Sequence, residues 1–413
     1  MAPILIHDDE LEDAFDESLL DHARRLEQLQ RLGLPRFLAE KFADLVDLRD
    51  LEQLIEHGCM SQLPLEIVRP RLLAEQNSEI STLAQGSADI VRRLGEQPII
   101  EAGAVPGYGP IFNAGAVYHD GRFHVFARGV RNGYQSNPGP GARFLDYISD
   151  VLVFVSDDGR SYEFQQVLAE SSPDGVWCYE DPRVQVVRSR GEDQWVMSYT
   201  NLPAPETKKV WRIGMHKLDY ADGRFSLNHA SACVVGPEGE PNKDAVLFNL
   251  RDGRVALIHR IHPNMQLAVF DSLDELWDPP PGHWEEHVAE LDRHTILTAA
   301  EGALGIGAGA PPIPTSDGLL LLFHERGGDG HYRTRAALLD DETGRVKALL
   351  SEPIMEPELP WERSGDVDNV VFIQGAILQA DGTIYATYGA ADRCVGGAHL
   401  SADGLLHALR AAA

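Results

Sequence analysis

AGAVYHDGRFHVFARGV, residues 114–130, is an apolar strand, a polar turn and a second apolar strand, with the turn at Asp120-Gly121. Side chains alternate between the two faces of a strand, so a half-buried strand has a period of two. Asp-Gly between two such runs favours the positive φ of a tight hairpin. The same unit recurs. DAVLFNLRDGRVALIHRI (244–261) turns at Asp252-Gly253, PPIPTSDGLLLLFHE (311–325) at Asp317-Gly318, and GAILQADGTIYATYGAAD (375–392) at Asp381-Gly382. VQVVRSRGEDQWVMSYT (184–200) is a looser version around Gly191. Several units are followed by a second strand pair, as in DVLVFVSDDGRSYEF (150–164) and WRIGMHKLDYADGRF (211–225). Five four-stranded units at intervals of roughly 50 to 65 residues are the sequence form of a propeller, and a β-sandwich would not repeat so regularly. The expected fold is all-β, a five-bladed β-propeller over residues 98–413.

Upstream the period changes. Leu11, Phe15, Leu19, Leu26, Leu29 and Leu32 recur at three- and four-residue steps and their multiples, with charges between them, until Gly33 and Pro35 break the run. A second run, Phe37, Phe42, Leu45, Leu48, Leu51 and Leu54, ends at Gly58, and a weaker third spans 72–94. No cluster of chemically useful side chains falls here. Residues 1–97 are therefore expected to form an N-terminal α-helical extension used in packing or homo-oligomerisation.

The 413 residues carry 64 Asp plus Glu against 36 Lys plus Arg, a net charge of -28. Nucleic acid and anionic membranes need a basic face, so neither is an expected partner. An anion site in this chain has to be a local basic cluster working against the overall field. The cysteines, Cys59, Cys178, Cys233 and Cys394, show neither zinc spacing nor the density of a disulfide scaffold. No stretch reaches the roughly 18 apolar residues of a membrane span, and the acidic N-terminus lacks the basic flank of a signal peptide. The expected location is the cytoplasm.

In a propeller the inner strands line one axis, so residues distant in sequence converge at one mouth. Polar residues at inner-strand ends, where packing alone would favour Val, Ile or Gly, are the site candidates. They are Asn113, Arg128, the run Glu180-Asp181-Pro182-Arg183, Asn242-Lys243-Asp244, His259-Arg260, His324 and Asp392. His259, His262 and His324 lack metal-ligand spacing, and no metal is expected.

NKDAVLF (242–248), ALIHRIHP (256–263), YEDPR (179–183), GIGAGAPPIP (305–314) and YGAAD (388–392) together resemble the inverting β-mannoside phosphorylases of glycoside hydrolase family 130. The resemblance runs from about Phe112 to Leu409 and leaves the helical region outside. In FLDYISDVLVFVSDDG (144–159) it implies that Asp146 is the general acid, with Ser149 and Ser156 at the family's offsets. It implies a phosphate cradle of Arg183, Lys243 and His259, with Arg212 a weaker match. It also implies a sugar pocket including Asp181, Asn113 and Asp392, and the inner-strand pattern adds Arg128, Asp244 and His324 as substrate contacts. The stretch 129–145 is longer than in the family and rich in Gly, Pro and Asn, so it is expected to be a loop shaping the acceptor site. Where the family often has Tyr-Ser after the HR strand, this chain has Val269-Phe270.

This inventory suits phosphorolysis. Inverting hydrolysis normally needs one carboxyl to protonate the leaving oxygen and another to activate water. Phosphate is already an anionic nucleophile, so one acid plus cations that hold it in line suffice. The expected activity is cleavage of β-mannosides by inorganic phosphate to α-mannose 1-phosphate and a shortened acceptor, with phosphate as co-substrate and no cofactor. The alternatives are a β-mannoside hydrolase of the same family and a non-catalytic sugar-binding propeller.

Overall fold

The computed structural model describes residue 26 and residues 90–137, 143–173, 175–202 and 211–412. The helical extension expected over 1–97 thus lies outside the described residues, apart from Leu26 and the last few positions. The chain divides into two units, Met1–Gln85 and Gly86–Ala413, and the second carries everything that follows.

The structure is mostly β. Strand β1 (Val91–Arg93) precedes a first group, β2 (Tyr108–His119), β3 (Arg122–Arg131), the short β4 (Gln135–Ser136) and β5 (Phe144–Leu145), β6 (Ser149–Ser156) and β7 (Glu163–Ala169). A second group is β8 (Cys178–Ser189), β9 (Glu192–Leu202), β10 (Arg212–Ala221) and β11 (Arg224–Val235). A third has β12 (Lys243–Asn249), β13 (Val255–Arg260) and β14 (Met265–Phe270). Three short helices follow, α1 (Leu273–Trp277), α2 (His283–Ala289) and α3 (Leu291–His294), before β15 (Thr295–Leu297) completes the group. The fourth is β16 (Gly305–Ala308), β17 (Ile313–Thr315), β18 (Gly318–Arg326), β19 (Tyr332–Leu339) and β20 (Val346–Leu349). Helix α4 (Pro360–Arg363) leads to β21 (Val371–Leu378), β22 (Thr383–Ala390) and β23 (Cys394–Ser401), and α5 (Ala402–Ala411) ends the chain.

Within each group the strands pair antiparallel with their neighbours in the chain, except that β3 pairs with β6 past the separate β4–β5 pair and both β16 and β17 pair with β18; the first two groups are joined by a single parallel bridge, Ser149 to Cys178. The fifth sheet draws on both ends of this unit, because β1 pairs with β23 from Val91↔Leu400 to Arg93↔Ala398. Residues 91–93 were expected to continue the third helical run. Here strand pairing overrides a weak helical period, and Arg93 is fixed by Glu362, whose Oε1 accepts from Nε at 2.7 Å.

Tight turns set the hairpins. Asp120-Gly121 and Arg190-Gly191 both have positive φ at the two central residues (51° and 78°, 52° and 85°), the geometry that matches the twist of paired strands. Buried apolar clusters lie between successive groups. Phe126 and Val153 meet Met197 and Tyr199, Val196 and Ile213 meet Leu247 and Leu257, and Val246 and Ile258 meet Leu319 and Leu321. Leu320 and Leu322 meet Val371 and Ile373, and Val395 of the fifth group meets Ala114 and Val125 of the first. Each group is thus packed on both of its neighbours, and the fifth packs on the first.

The first strands of the groups approach one another. The Gln374 amide donates to the carbonyls of both Asn113 and Pro182 at 2.8 Å, tying β21, β2 and β8 together. A Cβ on Gly115 would lie 2.6 Å from the Pro182 oxygen, so that crossing requires glycine. This convergence assembles the site.

Candidate active site

The same backbone device recurs where the first strands meet. Asn113, Asp181 and Asp244 have φ of 45°, 52° and 56°, and each sits where the register of its hairpin shifts by a bulge. Asp392, at the turn between β22 and β23, has φ of 50°. Among side-chain-bearing residues, Asn and Asp enter the left-handed region most readily, and bulges re-aim side chains next to sites. Four strained positions with four polar side chains converging from different groups mark a built site rather than chance polarity.

One half of it surrounds Arg128, on β3 opposite Phe112. Its Nη2 donates to Glu180 Oε1 at 2.5 Å, and its Nη1 lies 3.5 Å from Asp181 Oδ1. The guanidinium is also packed between the rings of Phe112 and Tyr147, at 5.0 and 5.1 Å from their centroids. Asn113 Nδ2 donates to Asp181 Oδ1 at 2.8 Å. Asp392 is half-buried beside this group. Burial raises its pKa to about 7; Arg128 pulls it down, Asp181 pushes it up, and Lys243 and Glu180 act in the same two senses.

The other half is centred on Asp244, which is buried and faced by Arg260 Nε at 3.2 Å, Arg183 Nη2 at 3.5 Å and His324 Nε2 at 3.6 Å. Burial would raise its pKa, but Arg260, Lys243, His324 and Arg183 outweigh that and hold the carboxyl ionised. Burial lowers His324 to about 3, so the ring is neutral. A Cβ on Gly307 would sit 2.3 Å from Asp244 Oδ2 and 2.6 Å from His324 Cε1, so the glycine of GIGAGA makes room for this contact. Lys243 is directly opposite Arg260 across the β12–β13 ladder, and its Nζ lies 5.8 Å from the centroid of the Trp211 ring. Among the described residues no carboxylate is within ion-pair distance of Lys243. Asn113 Oδ1, Arg128 Nε and His324 Nδ1 are buried and form no hydrogen bond among the described residues.

Three residues that the resemblance assigns to the phosphate cradle, Arg183, His259 and Arg212, are held by other groups of the protein. Arg183 is wholly buried. Its guanidinium donates to the carbonyls of Gly309 (Nε, 2.7 Å), Asp181 (Nη1, 3.0 Å) and Ala308 (Nη2, 2.7 Å), making it a strut between β8 and β16. His259 precedes Arg260 on β13 and so faces the other side of the sheet. Its Nδ1 meets Asn242 Oδ1 at 3.2 Å and its Nε2 meets His287 Nε2 at 3.0 Å, so both ring nitrogens are occupied away from Lys243. Arg212 is one hairpin further out and donates to the Gly236 carbonyl at 3.2 Å. Arg260, a candidate by its place at an inner-strand end, is the cation that the resemblance leaves out of the cradle. The alternation of the strand was the signal for it, because the partner of Lys243 across the ladder had to be 260 and not 259.

Asp146 lies in the turn between β5 and β6, exposed, with φ of 55°. Among the described residues it makes no hydrogen bond or ion pair. The next residue, Tyr147, is the ring stacked on Arg128, so the turn is anchored to the first half of the site. Ser149 donates to the Tyr179 carbonyl at 2.9 Å and Ser156 to Asp158 Oδ1 at 2.8 Å. Both serines therefore hold backbone and turn. Of the long loop before Asp146, residues 138–142 lie outside the described residues. Among the described residues no group of three or more His, Cys, Asp or Glu side chains could hold a metal ion.

The profile of the family described as beta-1,4-mannooligosaccharide phosphorylase matches residues 85–411. A 1,2-beta-oligomannan phosphorylase of Thermoanaerobacter sp. (strain X514) is 31% identical over 318 residues, covering 74% of this chain and 95% of the relative. A beta-1,4-mannooligosaccharide phosphorylase of Ruminococcus albus is 28% identical over 334 residues, covering 76% and 89%. Among solved structures, beta-1,2-mannobiose phosphorylase from Listeria innocua with bound beta-1,2-mannobiose superposes with a TM-score of 0.63 at 20% identity. It covers 78% of this chain and 99% of that one, a likeness of fold.

Proposed function

The chain belongs to glycoside hydrolase family 130 and acts as a glycoside phosphorylase, and from that premise we propose that it cleaves β-mannosides with inversion, using inorganic phosphate to release α-mannose 1-phosphate and a shortened acceptor. The observation that carries this reading is the pairing of Lys243 and Arg260 on one face of β12–β13, beside the sugar-facing polar groups Asn113, Asp181 and Asp392. In a chain with a net charge of -28 a partly accessible pair of cations at the convergence of the sheets is a place built for an anion.

In the proposed reaction a phosphate oxygen held by Lys243 and Arg260 attacks the anomeric carbon from the face opposite the leaving oxygen. The glycosidic C–O bond breaks, and the proton of Asp146 passes to the leaving oxygen through a sugar hydroxyl. Arg183 fixes the wall between the two halves instead of touching phosphate, and Arg260 replaces His259 in the cradle. Arg128, Asp244 and His324 are proposed to orient the mannosyl unit directly or through their neighbours. The two curated Thermoanaerobacter relatives at 31% identity are a 1,2-beta-oligomannan and a beta-1,2-mannobiose phosphorylase, so β-1,2-linked mannosides are the first substrates to assay.

We further propose that the five strand groups are the blades of one propeller, that the part of residues 1–97 preceding β1 forms a helical extension serving self-association, and that no cofactor beyond co-substrate phosphate is used. Cys178, Cys233 and Cys394 are unpaired, which suits the reducing cytoplasm. Lys243→Ala tests the cradle. It should raise the KM for phosphate about ten- to a hundredfold, the cost of one charge-assisted contact, while the mannoside KM moves much less. An unchanged phosphate KM would remove Lys243 from the site.

A further inference from the structure

One Asn-Gly pair occurs in the chain, Asn132-Gly133, directly after β3. Asparagine is thermolabile because the backbone nitrogen of the following residue can attack its side-chain amide carbon. Three features favour that attack here. Asn132 is exposed, and its side-chain amide makes no hydrogen bond among the described residues. Gly133 is exposed with φ of 106°, a conformation glycine adopts at no steric cost, and it has no Cβ to obstruct its own nitrogen. The Gly133 N–H likewise makes no hydrogen bond among the described residues, so the attacking nitrogen is not held. Every other asparagine precedes a residue with a side chain, and Asn137 precedes proline, which has no N–H to lose. Asn113 and Asn242 are also buried, and the Asn249 amide donates to the Arg188 carbonyl at 2.7 Å.

The pair lies between two fixed points. On one side the backbone N–H of Arg131 donates to the Ile148 carbonyl at 3.0 Å, and its guanidinium donates to both oxygens of Asp150 at 2.7 and 3.0 Å. On the other side the Tyr134 ring meets Tyr147 edge-on at 5.3 Å and Phe144 at 5.4 Å, and its hydroxyl donates to Asp366. Phe144, Tyr147, Ile148 and Asp150 flank Asp146 in sequence, so both anchors bear on the turn that carries the general acid. The connection from Arg131 to Tyr134 is short, and the Asn132 N–H ties its middle to the Gly107 carbonyl at 2.9 Å. A change of main-chain length there has to be taken up by one of the anchors.

We propose that Asn132 is a site of spontaneous covalent modification, converted through a succinimide to isoaspartate, and that the conversion loosens the Asp146 turn and lowers turnover. The Gly133 nitrogen bonds to the Asn132 side-chain amide carbon. The bond from that carbon to the amide nitrogen breaks, and ammonia leaves with the proton that Gly133 gives up. Water then opens the cyclic imide. Attack at the side-chain carbonyl yields aspartate, whereas attack at the main-chain carbonyl yields isoaspartate, which routes the backbone through Cβ and adds one carbon between the two anchors. Water is the only co-reactant, and nothing is oxidised or reduced.

The effect on turnover rests on the phosphorylase reading; the modification itself does not. The test incubates the full-length wild type, Asn132→Gln and freshly purified Asn132→Asp for days in mildly alkaline buffer. Peptide mapping by mass spectrometry, with enzymatic methylation of isoaspartate, is followed beside kcat on a β-1,2-mannoside with saturating phosphate. Asn132 should be modified before any other asparagine, and wild-type kcat should fall in step with the isoaspartate fraction. Asn132→Gln, whose longer side chain would have to close a larger and less favoured ring, should stay unmodified and keep its kcat. Asn132→Asp, which adds the charge on a normal backbone, should start near the wild-type kcat. An unmodified Asn132, or another asparagine converted first, overturns the site. Equal loss of kcat in the wild type and Asn132→Gln, or full kcat in isoaspartate-bearing protein, overturns its effect on the turn. If fresh wild type turns over no mannoside, the phosphorylase reading fails by itself, and the peptide map alone decides the modification.

Discussion

Asp392 and Asp146 are the two carboxyls near the expected sugar whose protonation the chemistry would feel, and their surroundings differ. Asp392 is half-buried among Arg128, Glu180 and Asp181, and its pKa of about 7 makes it a hydrogen-bond donor below neutrality and an anion above. Asp146 is exposed on a turn. The mannoside KM should therefore rise as pH is taken through about 7, and Asp392→Asn, which keeps a donor at all pH values, should flatten that rise. Asp146→Asn should instead lower kcat about 10²- to 10⁴-fold on an unactivated disaccharide and far less on aryl mannosides, whose leaving groups need no proton. Steady-state kinetics from pH 5.5 to 8.5 separate the two. A pH limb that survives in Asp392→Asn, or near wild-type kcat in Asp146→Asn, would exchange or remove these roles.

The element with most to lose from acid is the helical insert α2–α3 on the third sheet. Its His287 meets His259 nitrogen to nitrogen at 3.0 Å and stacks on His294 at 4.0 Å between ring centroids, with His283 and Trp284 alongside. Two charged rings cannot share that contact, because one nitrogen must be bare to accept while the other donates. Burial first, then the neighbouring imidazoles, lower His287 to about 3 and His259 well below its ordinary 6.5. The unfolded chain therefore binds more protons than the folded one between those values. Their stability contribution is complete above about 6.5 and is lost as pH falls towards 3. The melting temperature should drop by roughly several degrees between pH 7 and pH 4.5, and His287→Gln should remove part of that slope. An identical slope in the variant would mean that these rings titrate freely.

How much of each element was legible follows from its side-chain period. The units at 114–130, 184–200, 244–261 and 375–392 are the β2–β3, β8–β9, β12–β13 and β21–β22 hairpins. The fourth unit was read one strand late. Its first strand is β16 in GIGAGA, where glycines leave no apolar side chain to set a period, and 311–325 is β17–β18. In the site, the strained Asn and Asp positions stood in quoted motifs, but which cation faces the mouth depended on strand parity. Arg260 and His259 differ by one residue and face opposite sides. Arg183 is illegible for another reason: a buried arginine that donates to three backbone carbonyls and one that reaches phosphate are the same letter in a sequence.

At the scale of the whole molecule, the apolar clusters close from the fifth group onto the first, and β1 pairs with β23, so residues from Val91 to Ala411 act as one unit around the converging strands. Asn113, Arg128, Asp181, Lys243, Asp244, Arg260 and Asp392 are brought together from four of its five groups, and no single hairpin could supply both these cations and these carboxyls. We propose that this shared mouth transfers a mannosyl group to phosphate rather than to water. Proton NMR of the wild-type reaction on a β-mannosyl oligosaccharide, run in phosphate-free buffer and again after phosphate is added, tests it most directly. Transfer to phosphate with inversion predicts no turnover until phosphate arrives, followed by the anomeric signal of α-mannose 1-phosphate as the first product. Free mannose released at the same rate in both buffers would contradict it.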